Sequence, residues 1–205
     1  MHELLPQLIS IFLGFFAIMN PIANTAAFAG LAGEKSRAEQ IKIATKSLLV
    51  TFFVIVAFAC LGKAIFHMFG ITLPALRITG GVLVFLVGYH MLSGSSSHMH
   101  SAEQPEEQRD IAISPLAVPL LAGPGTIATA MNYAAAGGIT GIAMTIGVFA
   151  VLCLITFVCF IFSGNILRLL GKSGLAIITR LMGLILAVIG TQMLITGITQ
   201  AFKLG

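Results

Sequence analysis

The sequence predicts an all-α polytopic membrane protein with six transmembrane spans, arranged as two inverted repeats of three spans each. Three observations predict it: the composition, the lengths of the apolar runs and an internal repeat. Of the 205 residues, 58% are hydrophobic and 9% are charged, and the mean hydropathy is +1.03. Soluble domains are far more polar, so this composition is typical of proteins that cross the membrane several times.

A spanning helix needs about 20 mostly apolar residues, and six stretches of the chain meet or approach this length. They are Leu4–Leu31, Ser47–Phe69, Leu76–Ser93, Ser114–Ala136, Ile142–Phe162 and Leu175–Phe202. The first is long because Pro21 is expected to divide it, and the fourth is interrupted by Pro115, Pro119 and Pro124. We predict one integral membrane domain, with a first repeat at 1–94, a second at 111–205, and spans 1 and 4 broken at mid-membrane.

The third and sixth spans are similar to each other. Gly81–Leu92 and Gly183–Leu194 share two glycines and a Met-Leu pair at a constant offset of 102 residues. Because each half has an odd number of spans, the second half enters the membrane from the opposite side, which gives inverted repeats. The two glycines of each span are seven residues apart and so share one helix face, and such small-residue faces let helices approach closely in lipid.

Lysines and arginines lie mainly between the apolar runs, where they predict the orientation of the chain. With both termini outside, the cytoplasmic side holds Lys35, Arg37, Lys42, Lys46, Arg109, Arg168, Lys172 and Arg180, and the outside holds Lys63, Arg77 and Lys203. This distribution agrees with the positive-inside rule. The polar stretch 95–110 is predicted to be a cytoplasmic linker. The net charge of +4 thus indicates contact with the lipid bilayer and no nucleic acid partner.

Two short stretches about a hundred residues apart place a proline among small, hydroxyl and amide side chains at bilayer depth. We call Met19–Ala26 the first break and Ala122–Thr129 the second break. Lipid offers no hydrogen-bond partner to a backbone group that a proline frees, so such breaks persist only where they line a protected cavity. Paired interruptions at matching places in two halves indicate the binding site of a transporter.

The chemistry of a broken helix suits a small zwitterion. A helix start carries partial positive charge and suits a carboxylate, whereas a helix end presents carbonyls that suit an ammonium group or a cation. The small residues of both breaks leave room for a small-molecule solute. The predicted substrate-binding residues are Asn20, Pro21, Asn24, Thr25, Gly123, Pro124, Gly125 and Thr126. The alternative is a pair of structural kinks without a ligand.

Titratable groups are scarce in the predicted spans, which contain neither Asp nor Glu. An acid-based proton relay is therefore not available, and His90 is the possible proton-linked residue, although an interfacial, hydrogen-bonded histidine is the commoner use. The coupling ion stays open between H⁺ and Na⁺. His98 and His100 lack further ligands for a metal, and no cofactor is indicated. The segment around Ser173 loosely resembles the turn that carries a nucleophilic serine. Neither His67 nor His90 belongs to a motif that would make it the partner base, so no enzyme is predicted.

Four segments resemble a known family. Ser114–Ile127, Asn20-Pro21, Leu76–Gly81 and Thr179–Leu184 are similar to the signature of the MarC family of bacterial and archaeal inner-membrane proteins. The resemblance covers essentially the whole chain. It implies a six-span protein of the bacterial inner membrane, and it extends to an archaeal transporter of small neutral amino acids such as glycine and alanine.

These observations lead to one functional expectation with several alternatives. We expect a secondary transporter of small neutral solutes, of the glycine and alanine type, in which one repeat rocks against the other to give alternating access. The alternatives are an exporter or channel for another small solute and a non-transporting membrane scaffold. The direction of transport and the oligomeric state stay open.

Overall fold

A computed structural model of the protein describes residues 4–70, 72–93, 116–117 and 121–202. Every regular element in these ranges is helical, as the sequence predicts. The helices are α1 (Leu4–Met19), α2 (Pro21–Ala32), α3 (Arg37–Phe69), α4 (Leu73–Ser93), α5 (Pro124–Ala136), α6 (Gly138–Ile161) and α7 (Ser163–Phe202). The predicted linker 95–110 lies outside the described residues, as do Ser114, Pro115 and Pro119.

Five stretches of helix in the described residues are long and apolar enough to cross a membrane. They are Leu4–Ala32, Arg37–Gly62, Leu73–Ser93, Gly138–Ile161 and Ser163–Phe202. They correspond to five of the six predicted spans. The described part of the remaining one is α5, which has 13 residues and is shorter than a full span. Pro21 divides the first span into α1 and α2, as predicted.

Two helices extend well beyond the predicted spans. Helix α3 begins at Arg37, before the apolar run, because Ser36 and Glu39 form a capping box. The Ser36 backbone N–H and hydroxyl both donate to the Glu39 carboxylate, at 3.1 and 2.8 Å. Helix α7 begins at Ser163 and is interrupted at Gly171, whose φ of 61° and ψ of 178° are not helical. Glycine adopts this backbone conformation without the penalty that a Cβ would add.

The predicted glycine faces of α4 and α7 pack against each other, and the two helices run antiparallel. A Cβ added to Gly81 would lie 2.7 Å from the Gly190 carbonyl oxygen, and one added to Gly88 would lie 2.6 Å from the Gly183 carbonyl oxygen. Further along, a Cβ on Gly197 would lie 3.0 Å from the Pro74 carbonyl oxygen. The backbones therefore touch along most of the pair, which fixes α4 and α7 as one rigid unit.

Gly81→Ala is expected to destabilise the protein, because the added methyl group would meet backbone atoms that cannot rotate away. Overpacking of this kind costs about 1–3 kcal/mol. The measurement is the thermal unfolding midpoint in detergent. Gly147→Ala is the matched control, because a Cβ at Gly147 meets nothing within 4 Å. An equal midpoint for the two variants would contradict the close packing of α4 and α7.

An aromatic core holds the first break between the other helices. Phe28 stacks on Phe160 with ring centroids 4.5 Å apart, and Phe15 meets Phe149 edge-on at 5.0 Å. These contacts join α1 and α2 to α6 on one side of the break. On its other side, Ala17 is buried against a second cluster of Val84, Leu186 and Met193 from α4 and α7. The first break therefore lies in the interior of the bundle.

Candidate functional site

The first break is built around the backbone of Asn20. This residue has φ 41° and ψ 72°, in the left-handed region that Asn tolerates better than most residues. Its side-chain Oδ1 accepts a hydrogen bond from the Ala23 N–H at 3.2 Å, which caps α2, and Pro21 occupies the first helical position. Because Pro21 has no N–H, the Ala17 carbonyl of α1 loses the donor that an unbroken helix would provide.

Asn24 and Thr25 bond to the backbone of the same break. The Asn24 side-chain Nδ2 donates to the Met19 carbonyl at 2.5 Å, and the Thr25 hydroxyl donates to the Pro21 carbonyl at 2.7 Å. The Met19 carbonyl is freed by the break, because its usual donor, the Ala23 N–H, bonds to Asn20 instead. The Thr25 bond is the common bond of a helical threonine to the carbonyl four residues earlier. In this structure Asn24 stabilises the first break, and the hydroxyl of Thr25 is used within α2.

The second break differs from the first in having no side-chain cap. Gly123 precedes α5 in an extended conformation, with φ −71° and ψ 165°, and Pro124 is the first helical residue. The Ile127 N–H already bonds to the Gly123 carbonyl at 3.0 Å. The Gly125 and Thr126 N–H groups come before the first intrahelical bond, so they have no acceptor within α5. They carry the partial positive charge of the helix start in a buried place.

The two breaks lie side by side. A Cβ added to Gly125 would lie 2.7 Å from Cδ1 of Ile18 and 3.9 Å from the Val84 side chain. Ile18 comes two residues before Asn20, so the end of α1 packs directly against the start of α5. Of the predicted site residues, Asn20, Pro21, Thr25, Gly125 and Thr126 are buried, Asn24 and Gly123 are half-buried, and Pro124 is exposed.

Two buried side-chain atoms of the described residues have no hydrogen-bond partner, and both belong to the breaks. They are Nδ2 of Asn20 and the hydroxyl oxygen of Thr129, in residues that are 3% and 2% exposed. Buried polar atoms are nearly always hydrogen-bonded, so an exception calls for an explanation. Thr129 belongs to the second break and can supply a hydrogen bond, but it is not among the predicted substrate-binding residues; it lies one helical turn after Gly125.

Other possible functional features of the described residues lie away from the breaks. His90 is in the last turn of α4, where its Nδ1 lies 2.7 Å from the Leu86 carbonyl oxygen. A groove of about 760 Å³ follows the outer face of α3 beside Lys42 and Phe53. The described residues contain no cluster of three or more metal-ligating side chains. His98 and His100 and the side chain of His67 lie outside the described part.

Comparison with known proteins gives the family. The MarC family of integral membrane proteins matches residues 5–202. The chain belongs to this family. Among MarC relatives, it is 40% identical over 204 residues to UPF0056 membrane protein YvbG of Bacillus subtilis, covering 95% of each chain. It is 35% identical over 202 residues to UPF0056 inner membrane protein MarC of Salmonella paratyphi A, covering 91% of each. No solved structure matches the chain.

The match to the MarC family confirms the resemblance that the sequence motifs indicate. It covers both breaks and both glycine faces, so the site described above lies entirely within the family region. The chain is therefore an integral membrane protein, and five of its described helical stretches are long and apolar enough to cross the membrane.

Proposed function

We propose that this MarC protein is a secondary transporter of small neutral amino acids of the glycine and alanine type, with its site between the two breaks. One observation carries the proposal: Nδ2 of Asn20 is buried without a partner, and the uncapped start of α5 packs against Ile18, which comes two residues before Asn20. A buried N–H donor without an acceptor is costly inside a membrane protein, so these donors favour a ligand that supplies hydrogen-bond acceptors.

A zwitterion meets the requirements of this site at both ends. Its carboxylate accepts hydrogen bonds from the Gly125 and Thr126 N–H groups and from Nδ2 of Asn20. Its ammonium group donates to the Ala17 carbonyl and the Thr129 hydroxyl. The start of α2 is less suited to the carboxylate, because Asn20 already caps it. This difference between the breaks orients the solute with its carboxylate at α5.

The absence of acids from the described helices near the breaks favours a solute with no net charge. The described acids, Glu34 and Glu39, lie at the connection between α2 and α3. A cationic solute would find no carboxylate there, and an anionic one would lack a second positive group. The same reasoning leaves H⁺ and Na⁺ both open as coupling ions, with His90 as the candidate for the former.

Alternating access in this proposal uses the inverted repeat. At the offset of 102 residues, Gly81 corresponds to Gly183 and Gly88 to Gly190. Gly81 packs on Gly190, which is the counterpart of Gly88. Gly88 packs on Gly183, which is the counterpart of Gly81. Exchange of this kind is what a two-fold axis between the halves requires, and it supports the six-span inverted arrangement.

The proposal places both termini outside the inner membrane.

The alternative functions predict different transport kinetics. We also propose that the protein is not an enzyme. A channel gives flux that does not saturate and shows no counter-transport, whereas an exporter differs only in direction. A scaffold gives no flux and no ligand-induced shift in melting temperature. Ser173 is exposed next to the Gly171 interruption of α7, so a dependence of activity on Ser173 would favour a protease instead.

The test is the flux of labelled glycine and alanine in liposomes that carry the purified protein, under sodium and proton gradients in turn. The proposal expects saturable uptake and counter-transport by unlabelled solute. Protein-free liposomes are the control. No flux of any small neutral amino acid under either gradient would contradict the proposed substrate.

A further inference from the structure

Helices α4 and α5 pack antiparallel along a seam that starts at the second break. At one end, Gly125 lies against Val84. In the middle, a Cβ added to Gly80 would lie 3.1 Å from the Ala128 Cβ. At the other end, the Arg77 Nε donates to the Asn132 side-chain oxygen at 2.8 Å. We call this contact line, from Gly125 to Arg77, the α4–α5 seam.

Arg77 closes the far end of the seam by bonding two neighbouring helices. Its Nε bonds to Asn132 of α5, and its Nη1 donates to the Gln200 side-chain oxygen of α7 at 2.5 Å. Both acceptors are neutral amide oxygens. A guanidinium has five N–H donors and a permanent charge, and it binds a carboxylate more strongly than it binds an amide.

No described carboxylate neutralises Arg77. Glu34 and Glu39 lie near the end of α6, where Arg37 donates to the Ile161 carbonyl. Asn132 lies near the start of α6 instead, because α5 leads directly into it. Helix α6 has 24 residues and is about 36 Å long, so the described acids and Arg77 lie at opposite ends of the bundle.

Thr129 lies between the two ends of the seam. It follows Gly125 by four residues and precedes Asn132 by three, so these residues share one face of α5. Its hydroxyl is buried without a partner. The preceding residue, Ala128, is the one that lies against Gly80 of α4, where a Cβ added to Gly80 would lie 3.1 Å from the Ala128 Cβ. A buried polar group therefore stands midway between Arg77 and the start of α5, beside the point where α4 and α5 are held in contact only by the small residues Gly80 and Ala128.

We propose that the α4–α5 seam is a solute path to the site between the breaks, and that Arg77 is its gate. The inference rests on the proposed function and names a residue that the predicted site does not contain. In the closed form, Arg77 bonds to Asn132 and Gln200. An arriving carboxylate displaces these amide oxygens, which releases α5 from α4 and α7. The carboxylate then passes Thr129 and reaches the Gly125 and Thr126 N–H groups.

The test compares glycine with glycinamide, which keeps the ammonium group and lacks the carboxylate. In proteoliposomes, Arg77→Gln is expected to raise the KM for labelled glycine about tenfold, and to leave the inhibition constant of glycinamide unchanged. A merely structural role of Arg77 would change both constants by the same factor. Arg180→Gln is the matched control, because Arg180 is the exposed arginine that precedes Gly183 in the second half.

A second variant tests the gate independently, in case the Arg77→Gln protein does not insert in the membrane. Gln200→Met removes one of the two amide oxygens that compete with the solute, at an exposed position. It is expected to lower the KM for glycine about threefold. An unchanged or raised KM, or equal shifts for glycine and glycinamide in Arg77→Gln, would overturn the gate. If the wild-type protein carries no glycine flux, the proposed function itself fails.

Discussion

Asn20→Ala is expected to abolish glycine flux while the protein still inserts in the membrane. The change removes the unpartnered Nδ2 donor, and a lost hydrogen bond to a charged group lowers affinity about 10- to 100-fold. It also removes the cap of α2 and places alanine, which prefers right-handed backbone, at φ 41°. Each of these two effects lowers the free energy of unfolding by about 1–2 kcal/mol. The measurement is labelled glycine flux in proteoliposomes, with insertion checked by size-exclusion chromatography.

Two further substitutions separate binding from stability at Asn20. Asn20→Gly keeps the left-handed backbone at little cost, so it should fold well and still lose flux. Asn20→Asp keeps an oxygen that caps the Ala23 N–H, but it replaces the donor with a charged acceptor that repels a carboxylate. Both variants should therefore be inactive, Asn20→Gly with a near wild-type melting temperature and Asn20→Asp with a lower one, because its carboxylate is buried without a positive partner. Wild-type flux in either one would place the solute away from Asn20.

Gly125→Val is expected to abolish flux by a steric route. The new Cβ would lie 2.7 Å from Cδ1 of Ile18, and the branched side chain would fill the space between the start of α5 and the end of α1. Gly125→Ala should give a partial loss, because the clash involves the end of a flexible side chain. Gly147→Val is the control, since a Cβ there meets nothing within 4 Å.

The steric explanation for Gly125 has its own rescue experiment. Ile18→Val deletes Cδ1, the atom that the new Cβ would meet. The double variant Gly125→Ala with Ile18→Val is therefore expected to recover most of the flux that Gly125→Ala loses. If the double variant is no better than Gly125→Ala alone, the loss arises from the helix start and not from the contact with Ile18.

The positions of the breaks could be predicted from the sequence, but the roles of their side chains could not. Pro21 and Pro124 lack an N–H, so each one marks a helix start wherever it falls in an apolar run. The start of α3 at Arg37 was not predicted, although Ser36 and Glu39 have the spacing of a capping box. The glycine faces followed from their spacing of seven residues.

The division of roles within the breaks depends on three-dimensional contacts that local pattern does not contain. Asn24 and Thr25 resemble ligand-binding residues in the sequence, yet Asn24 bonds to a carbonyl that the break frees and Thr25 bonds to a carbonyl of its own helix. Asn20 and Thr129 keep unpartnered atoms because of how α1 and α5 pack. The bonds of Arg77 to Asn132 and Gln200 join residues 55 and 123 positions apart, so they could not be derived from periodicity.

The most direct test of the site is an experimental structure of the protein in lipid, determined with and without saturating glycine. The difference density is predicted to show a compact feature in contact with Nδ2 of Asn20 and the Gly125 and Thr126 N–H groups. The Asn20→Asp variant should lack this feature under the same conditions. Glycine density at another place in the bundle, with the two breaks unchanged, would contradict the proposed site.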